Sequence, residues 1–154
     1  MKFVLSLSIC ANLFLASCNL TLSANQKNNP TSNPTDANIT SLSQRKSYDE
    51  IDLTQLPENI AKKGNSPEKL ALIAFGTEEA EGFFREDIEV DTSSPEQATV
   101  TITQINLPDD SVNSIRYRID FQKEGSQWRM EWAGQQFICQ PGRGNQDWSP
   151  ELCY

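Results

Sequence analysis

The sequence predicts a small α+β domain: one main helix packed on an antiparallel sheet of about four strands, with a C-terminal disulfide loop. Three observations lead to this prediction. Apolar and polar side chains alternate with a period of two along residues 114–132, which is typical of strands. Residues 66–76 carry the start and stop signals of a helix. Two cysteines, Cys139 and Cys153, bracket the last loop.

The helix is predicted within SPEKLALIAFG, residues 66–76. Ser66 is a suitable N-cap, Pro67 fits the first helical position, and Glu68 complements the positive end of the helix dipole. Gly76 can take the left-handed conformation that stops a helix. Leu70, Ile73 and Ala74 fall on one side and three further apolar residues widen that surface, so we expect the helix to pack against the sheet.

Two strands are predicted between the helix and residue 107. The apolar residues of 83–91 fit a period of two. Residues 98–107 begin with the same alternation, but the apolar residues after Gln104 are at odd-numbered instead of even-numbered positions and so would point to the other face of the strand. This change predicts a bulge or a strand end near Gln104.

The best-defined element is a β-hairpin that turns at Glu124-Gly125. A two-residue turn there sets a definite register, in which aromatic and opposite-charge pairs stabilise the two strands. The pairs predicted on this register are Phe121–Trp128, Ile119–Met130 and Tyr117–Trp132 on the apolar face, and Asp120–Arg129 and Arg118–Glu131 on the other. A slip of one residue would set charges against apolar partners, whereas a longer turn would shift the register by two.

The N-terminus has the features of an export signal. Lys2 precedes an apolar stretch at 3–14 that is too short for a bilayer span, which needs roughly 20 apolar residues. The next residues, Leu15-Ala16-Ser17-Cys18, resemble the lipobox of bacterial lipoproteins. This resemblance implies removal of a signal peptide at residues 1–17 and a lipid on Cys18 that anchors the chain to a membrane. An ordinary secretory signal is the alternative.

The rest of the chain divides into a tether and a domain. Residues 18–47 are rich in Asn, Ser and Thr, a composition that buries too little apolar surface to fold. We expect a disordered tether there and a small α+β domain over residues 48–154. The expected location is the cell envelope, on the periplasmic face or at the outer membrane, with the lipid on Cys18 as the membrane contact.

Cysteine usage fits an oxidising compartment. Cys10 lies within the predicted signal and Cys18 carries the implied lipid, so Cys139 and Cys153 remain in the domain. Exported chains normally oxidise such a pair, and we predict a structural disulfide. The alternatives are a zinc site, which usually takes four Cys or His ligands, and a redox pair, which is more often Cys-x-x-Cys. The sequence has no histidine.

Composition narrows the possible functions. Without residues 1–17, 12 Lys and Arg face 21 Asp and Glu, a net charge of −9. Such an acidic chain offers no electrostatic footprint for nucleic acid. The lack of histidine removes Ser-His-Asp and Cys-His nucleophiles and the usual catalytic metal ligands. We therefore predict no catalytic residues, metal or cofactor, although carboxylate, lysine or tyrosine chemistry stays formally open.

The loop between the two cysteines contains the candidate contact residues for a ligand or partner: Arg143, Asp147 and Trp148. Glycines flank Arg143, so the arginine would be presented at a turn, where a guanidinium can bind a carboxylate or phosphate through two hydrogen bonds. The alternative is a structural loop, in which Arg143 pairs with Asp147 and Trp148 covers the core edge.

Two further charged sets have a functional and a structural interpretation. Arg116, Arg118 and Arg129 would form either a grip for an anionic ligand or a solvated sheet face with reciprocal ion pairs. The acidic residues within 78–81 and 86–91 could bind calcium, but they lack EF-hand spacing, so we interpret them as charged surface.

The stretch GQQFICQPGRGNQDWSPELC after WRMEW resembles the C-terminus of small exported cyanobacterial proteins of unknown function. The order of a helix followed by antiparallel strands is loosely similar to cystatin-like and NTF2-like folds, in which a curved sheet wraps a helix. Neither resemblance supplies an activity. Together these observations predict a lipid-anchored, non-catalytic binding module with an envelope protein or small ligand as partner. The alternatives are a carboxylate-based enzyme and an assembly subunit of an envelope complex.

Overall fold

The computed structural model describes residues 42–77, 82–92 and 94–154. The predicted signal peptide, Cys18 and most of the tether lie outside them. The strands are β1 (Asp49–Ile51), β2 (Lys63–Gly64), β3 (Arg85–Asp91), β4 (Gln97–Ile105), β5 (Val112–Glu124) and β6 (Gln127–Cys139). One α-helix of seven or more residues, α1 (Pro67–Phe75), a helical turn over residues 42–45 and a 3-10 turn at Leu53–Gln55 complete the regular structure of the described residues.

All six strands form one antiparallel sheet, in the order β1-β6-β5-β4-β3, with β2 also paired to β6. The predicted α+β class with about four strands is therefore wrong, because the described chain is mostly sheet and holds a single nine-residue helix. The two additional strands, β1 and β2, have only three and two residues. Segments this short carry no periodic pattern, and pairing with β6 is what makes them strands.

The helix is correctly predicted. Ser66 Oγ accepts a hydrogen bond from the Lys69 backbone N–H at 3.3 Å, and Pro67 opens the first turn. The predicted left-handed stop is wrong: Gly76 has φ −73° and ψ 160°, an extended conformation, and its N–H donates to the Leu72 carbonyl at 2.8 Å.

The core lies between α1 and one face of the sheet. It contains Leu70 and Ala71 of the helix, Ala98, Val100 and Ile102 of β4, Ile119 and Phe121 of β5, and Met130 and Ala133 of β6. Gln104 is buried at the end of this layer. Its Nε2 lies 3.0 Å from the Phe75 carbonyl and 2.8 Å from Glu86 Oε2, so one amide joins α1, β3 and β4. Strand β4 ends at Ile105, so of the two predictions made for the region near Gln104, a bulge or a strand end, the strand end is the one observed.

The predicted hairpin exists, but its predicted register is wrong. The turn falls at Gly125-Ser126, one residue later than predicted, so Glu124 pairs with Gln127 and Phe121 pairs with Met130. Gly125 has φ 64°, a conformation that glycine takes at no steric cost. The pairing near the turn is therefore displaced by two residues from the prediction.

A bulge then changes the register again. Asp120 pairs with Trp132, which leaves Glu131 as the extra residue of β6. An extra residue reverses the alternation, so Trp132 joins Asp120 on the sheet face opposite α1, here called the second face, and Ala133 replaces it in the core. The predicted Asp120–Arg129 and Arg118–Glu131 pairs consequently do not form. Arg129 Nε instead donates to Glu124 Oε1 at 2.5 Å.

Residues 42–48 are attached to the second face through a buried carboxylate. Asp120 is 5% exposed and accepts hydrogen bonds from Arg45 Nε at 2.7 Å, Arg118 Nε at 3.0 Å and Thr99 Oγ1 at 2.9 Å. We call Arg45, Asp120 and Arg118 the clamp. Residues 42–47, assigned above to the tether, thus include a side chain that is bound to the sheet.

Aromatic packing completes this attachment. The Tyr48 and Trp132 rings meet edge to face, with centroids 6.0 Å apart, and the Arg45 guanidinium lies 5.2 Å from the Trp132 ring. Gly134 leaves the necessary room, because a Cβ built there would lie 2.8 Å from the Cβ of Tyr48. The bulge, the glycine and the clamp therefore act together at one place on the second face.

We expect Asp120→Asn to lower the free energy of unfolding by about 3 kcal/mol, because the Arg45 and Arg118 guanidinium groups would lose a buried carboxylate. Urea titration followed by tryptophan fluorescence measures the change. Glu124→Gln is the matched control, since Glu124 is an exposed partner of Arg129 and Lys63, and it should cost less than about 1 kcal/mol. Equal losses in the two variants would contradict the clamp's structural role.

Candidate functional site

The C-terminal loop is closed by the predicted disulfide. Cys139 and Cys153 are bonded, with their Cα atoms 5.5 Å apart, so the prediction is confirmed. Cys139 is the last residue of β6 and is 1% exposed, which places the bridge at the end of the sheet. The bond therefore fixes the last residues of the chain to the longest hairpin.

Hydrogen bonds to β6 and its end hold the loop between the cysteines. The backbone N–H groups of Phe137 and Ser149 donate to each other's carbonyls at 2.8 and 3.1 Å, an isolated bridge that continues the sheet edge. The Cys139 N–H donates to the Asn145 carbonyl at 2.8 Å. Asn145 Nδ2 in turn donates to Ser149 Oγ at 3.0 Å. The loop is thus an ordered part of the domain.

Arg143 lies at the turn, as predicted, between two glycines of positive φ. Its side chain is 47% exposed and faces Asp110, with Nη2 3.9 Å from Oδ2. Asp147 is exposed and is not the ion-pair partner of Arg143, so the pairing proposed for the structural loop is wrong. A contact role for Arg143 and Asp147 stays a prediction.

The facing turn, residues 108–111, is built around Asp109. Its Oδ1 accepts hydrogen bonds from the backbone N–H groups of Ser111 at 2.8 Å and Val112 at 2.7 Å. These bonds, with that of Val112 first, favour the ionised carboxylate and hold the pKa of Asp109 below its usual value. Asp109 is thereby occupied in the turn, and its neighbour Asp110 is the carboxylate that faces Arg143.

The side chain of Trp148 extends from the loop and stacks on Arg116 of β5. The Arg116 guanidinium carbon lies 4.1 Å from the centroid of the Trp148 ring, a cation–π distance. Trp148 does not belong to the side chains that pack on the core, so the core-edge position considered above is wrong. The structure thus brings Trp148 together with an arginine from another element.

Arg116 differs from the other arginines of the chain. Arg45 and Arg118 bind Asp120, Arg85 binds Asp87, Arg129 binds Glu124, and Arg143 faces Asp110. Within the part of the chain that the structure describes, Arg116 is the one arginine without a carboxylate oxygen inside 4.0 Å. The predicted arginine stripe therefore separates into two paired side chains, Arg118 and Arg129, and one that is stacked and unpaired.

An open depression of about 320 Å³ lies beside the bulge and is lined by Glu50, Ile51, Asp52, Leu53, Glu131 and Trp132. Two of its three acidic side chains, Asp52 and Glu131, have local partners. Asp52 accepts hydrogen bonds from the Thr54 hydroxyl at 2.7 Å and the Thr54 N–H at 2.9 Å, and these lower the pKa of Asp52. A general acid requires the opposite shift. Glu131 lies 3.9 Å from Arg45 Nη2.

The sequence predicted no metal site. For the acidic residues within 78–81 and 86–91, calcium binding was the alternative to a charged surface. Glu78, Glu79 and Glu81 lie outside the described residues. Within the described residues, no group of three or more Asp, Glu, Cys or His side chains is arranged to hold a metal ion.

The outer edge of β3 is the second surface of interest. β3 pairs with β4 on one side, and no strand of the described ranges pairs with it on the other. Ile88 and Val90 point to the same face as α1, but they are 39% and 44% exposed. Phe83, just before the strand, is 91% exposed. Within the described residues, this edge of β3 therefore carries accessible apolar side chains and no paired strand.

Comparisons with protein-family models, curated proteins and solved structures find no match for this chain. A search of the described helices for a membrane-crossing segment finds none of sufficient length and apolarity.

We expect the disulfide to stabilise the domain by about 3 kcal/mol, because it restricts the unfolded chain over a sequence separation of 14 residues. Replacement of both Cys139 and Cys153 by serine should lower the free energy of unfolding by that amount in urea titrations. A reductant should destabilise the parent protein and leave the double variant unchanged. Equal stability of the oxidised parent and the variant would refute this role.

Proposed function

We propose that the protein is an exported bacterial lipoprotein whose domain is a non-catalytic binding module of the cell envelope. The anchor in this proposal is a lipid on Cys18, at the end of the lipobox-like Leu15–Cys18. The Cys139–Cys153 disulfide supports export, since such bonds persist in oxidising compartments and are rare in the cytosol. The same bond also occupies the remaining pair of cysteines.

We expect the purified, membrane-extracted protein to begin at Cys18 and to carry a diacylglyceryl group on that sulfur. Intact-mass spectrometry tests both features in one measurement. Cys18→Ala should abolish the lipid and release the protein from the membrane fraction, because the acyl chains, each methylene contributing about 0.8 kcal/mol, supply the attachment. A chain cut elsewhere and without lipid would instead identify an ordinary secretory signal.

The observation that carries the binding function is the outer edge of β3, which pairs with no strand in the described part of the chain. An exposed edge offers backbone N–H and C=O groups that a second chain can use by adding a strand. Half-exposed Ile88 and Val90 would supply contacts for the apolar side chains of such a strand. The partner is accordingly a protein segment in extended conformation.

Charge specifies this segment further. β3 contains one arginine and four acidic residues, a net charge of −3 over Arg85–Asp91. Asp87 and Glu89 lie on the second face, opposite Ile88 and Val90. A strand that alternates lysine or arginine with apolar residues matches both faces of this edge. A second copy of β3 does not, because like charges would face each other across the new pair.

The proposal is tested with a seven-residue peptide of alternating lysine and valine that carries a fluorescein group at its N-terminus and an amide at its C-terminus. We expect Glu89→Lys to weaken its binding about tenfold, measured by fluorescence anisotropy, since an attractive exposed charge becomes repulsive. Glu58→Lys is the matched control, because this exposed residue has the same charge change and lies between β1 and β2, which pair at the opposite edge. Binding should also fall as salt rises.

Two outcomes would remove β3 as the binding edge. One is equal binding of the peptide by Glu89→Lys and the parent protein. The other is unchanged binding of a peptide with proline at its centre, since proline cannot complete a strand ladder. For the natural partner, a photoreactive side chain at position 89 should crosslink an extended basic segment in intact membranes, and the same group at position 58 should not.

A further inference from the structure

Arg116 and Trp148 form a second candidate site, on the second face of the sheet and separate from the outer edge of β3. The guanidinium lies 4.1 Å above the indole ring, and both side chains are half-buried. Stacking uses the flat surface of a guanidinium and leaves its in-plane N–H donors available. Five of the six arginines direct these donors at carboxylates within 4.0 Å, and in the described residues Arg116 does not.

The surroundings of Arg116 explain why it stays unpaired. Along its row of the sheet, Thr103 lies opposite it on β4, Gln136 lies opposite it on β6, and Asp87 follows Thr103 on β3. Asp87 is bound by Arg85 at 2.8 Å. Gln136 donates to the Ser47 carbonyl at 2.9 Å. Along this row of the described strands, each side chain that could accept a hydrogen bond from Arg116 is thus neutral or is a carboxylate with its own cation.

We propose that Arg116, held by Trp148, binds the carboxylate of a ligand. A carboxylate accepts two parallel hydrogen bonds from the edge of a guanidinium, and stacking on Trp148 reduces the conformational freedom that binding would cost. The ring would also contact the part of the ligand next to its carboxylate.

The acidity of the chain selects a singly charged group over phosphate. The sequence carries a formal net charge of −8, and Asp87 and Glu89 lie on the same face as Arg116. A dianion is repelled more strongly by these charges than a monoanion. A small carboxylic acid and the C-terminus of a peptide share the required chemistry.

The test uses the purified full chain in neutral detergent, labelled with 15N at arginine, and follows the Nε–Hε signals by NMR. The probes are N-acetylglycine, a tripeptide with a free C-terminus, their amides, and inorganic phosphate. We expect a saturable shift of the Arg116 signal with the carboxylates, with a Kd on the order of millimolar, and none with the amides. A tripeptide that binds tighter than N-acetylglycine identifies a peptide end as the ligand, and equal affinities identify a small acid.

Variants separate a site from a merely structural stack. For the variants, tryptophan is labelled with 15N as well, so that the indole N–H signal of Trp148 reports binding where the Arg116 signal is lost. Arg116→Gln should abolish its saturable shift, and Arg116→Lys should weaken binding at least about tenfold because lysine lacks the fork of donors. Trp148→Leu should weaken binding while Arg116 is retained. Arg129→Gln is the matched control, with the same charge change at an arginine that is already paired, and it should bind normally.

Unfolding midpoints of the variants show whether each one is folded at the temperature of the titration. An unmoved Arg116 signal in the parent protein would overturn the proposal, as would equal binding by Arg116→Lys or tighter binding of phosphate than of N-acetylglycine. Glu89→Lys should leave the carboxylate titration saturable and no weaker, since it removes a repelling charge from this face, so a failure at the β3 edge and a failure at Arg116 are distinguished.

Discussion

The single extra residue in β6, Glu131, is the constraint on which the rest of the structure depends. Without it, Trp132 would follow Trp128 and Met130 into the core, as the alternation of the sequence predicts. The bulge instead places Trp132 beside Asp120 on the second face. An indole in that position covers Gly134 and gives Tyr48 and Arg45 a surface to pack on. A local irregularity of one residue thus gives the sheet two packed faces.

These two faces are held together by different physical interactions. The face under α1 is apolar, and its buried Gln104 satisfies the end of the helix and the adjacent strands. The second face depends on the buried carboxylate of Asp120, which stabilises only as long as its two arginines stay in place. Arg45 is one of them, so the stability of the sheet and the path of residues 42–48 are coupled.

The predictions that succeeded rest on short-range chemistry. Ser66 and Pro67 start the helix through a hydrogen bond and a backbone angle within its first turn. A glycine between two segments of alternating polarity indicates a hairpin. The disulfide followed from the number of cysteines available. The register of the hairpin was not predictable from these local signals. Turns at Gly125-Ser126 and at Glu124-Gly125 differ little in free energy, so the pairing of the whole sheet decides between them. The same holds for β1 and β2, which exist only as partners of β6.

The candidate site shows the same division between local and long-range information. The turn that carries Arg143 was visible in its flanking glycines, whereas the contact of Trp148 with Arg116 joins two segments with no local relation. A counting argument could have directed attention to Arg116, since an acidic chain has enough carboxylates to pair every arginine. Among the described residues, Arg116 is stacked on an aromatic ring instead, because Asp87 in its row is bound by Arg85 and its partners on either side are neutral. In a protein with an excess of negative charge, an available guanidinium of this kind is a property of the fold, and it is the reason to look for an anionic ligand there.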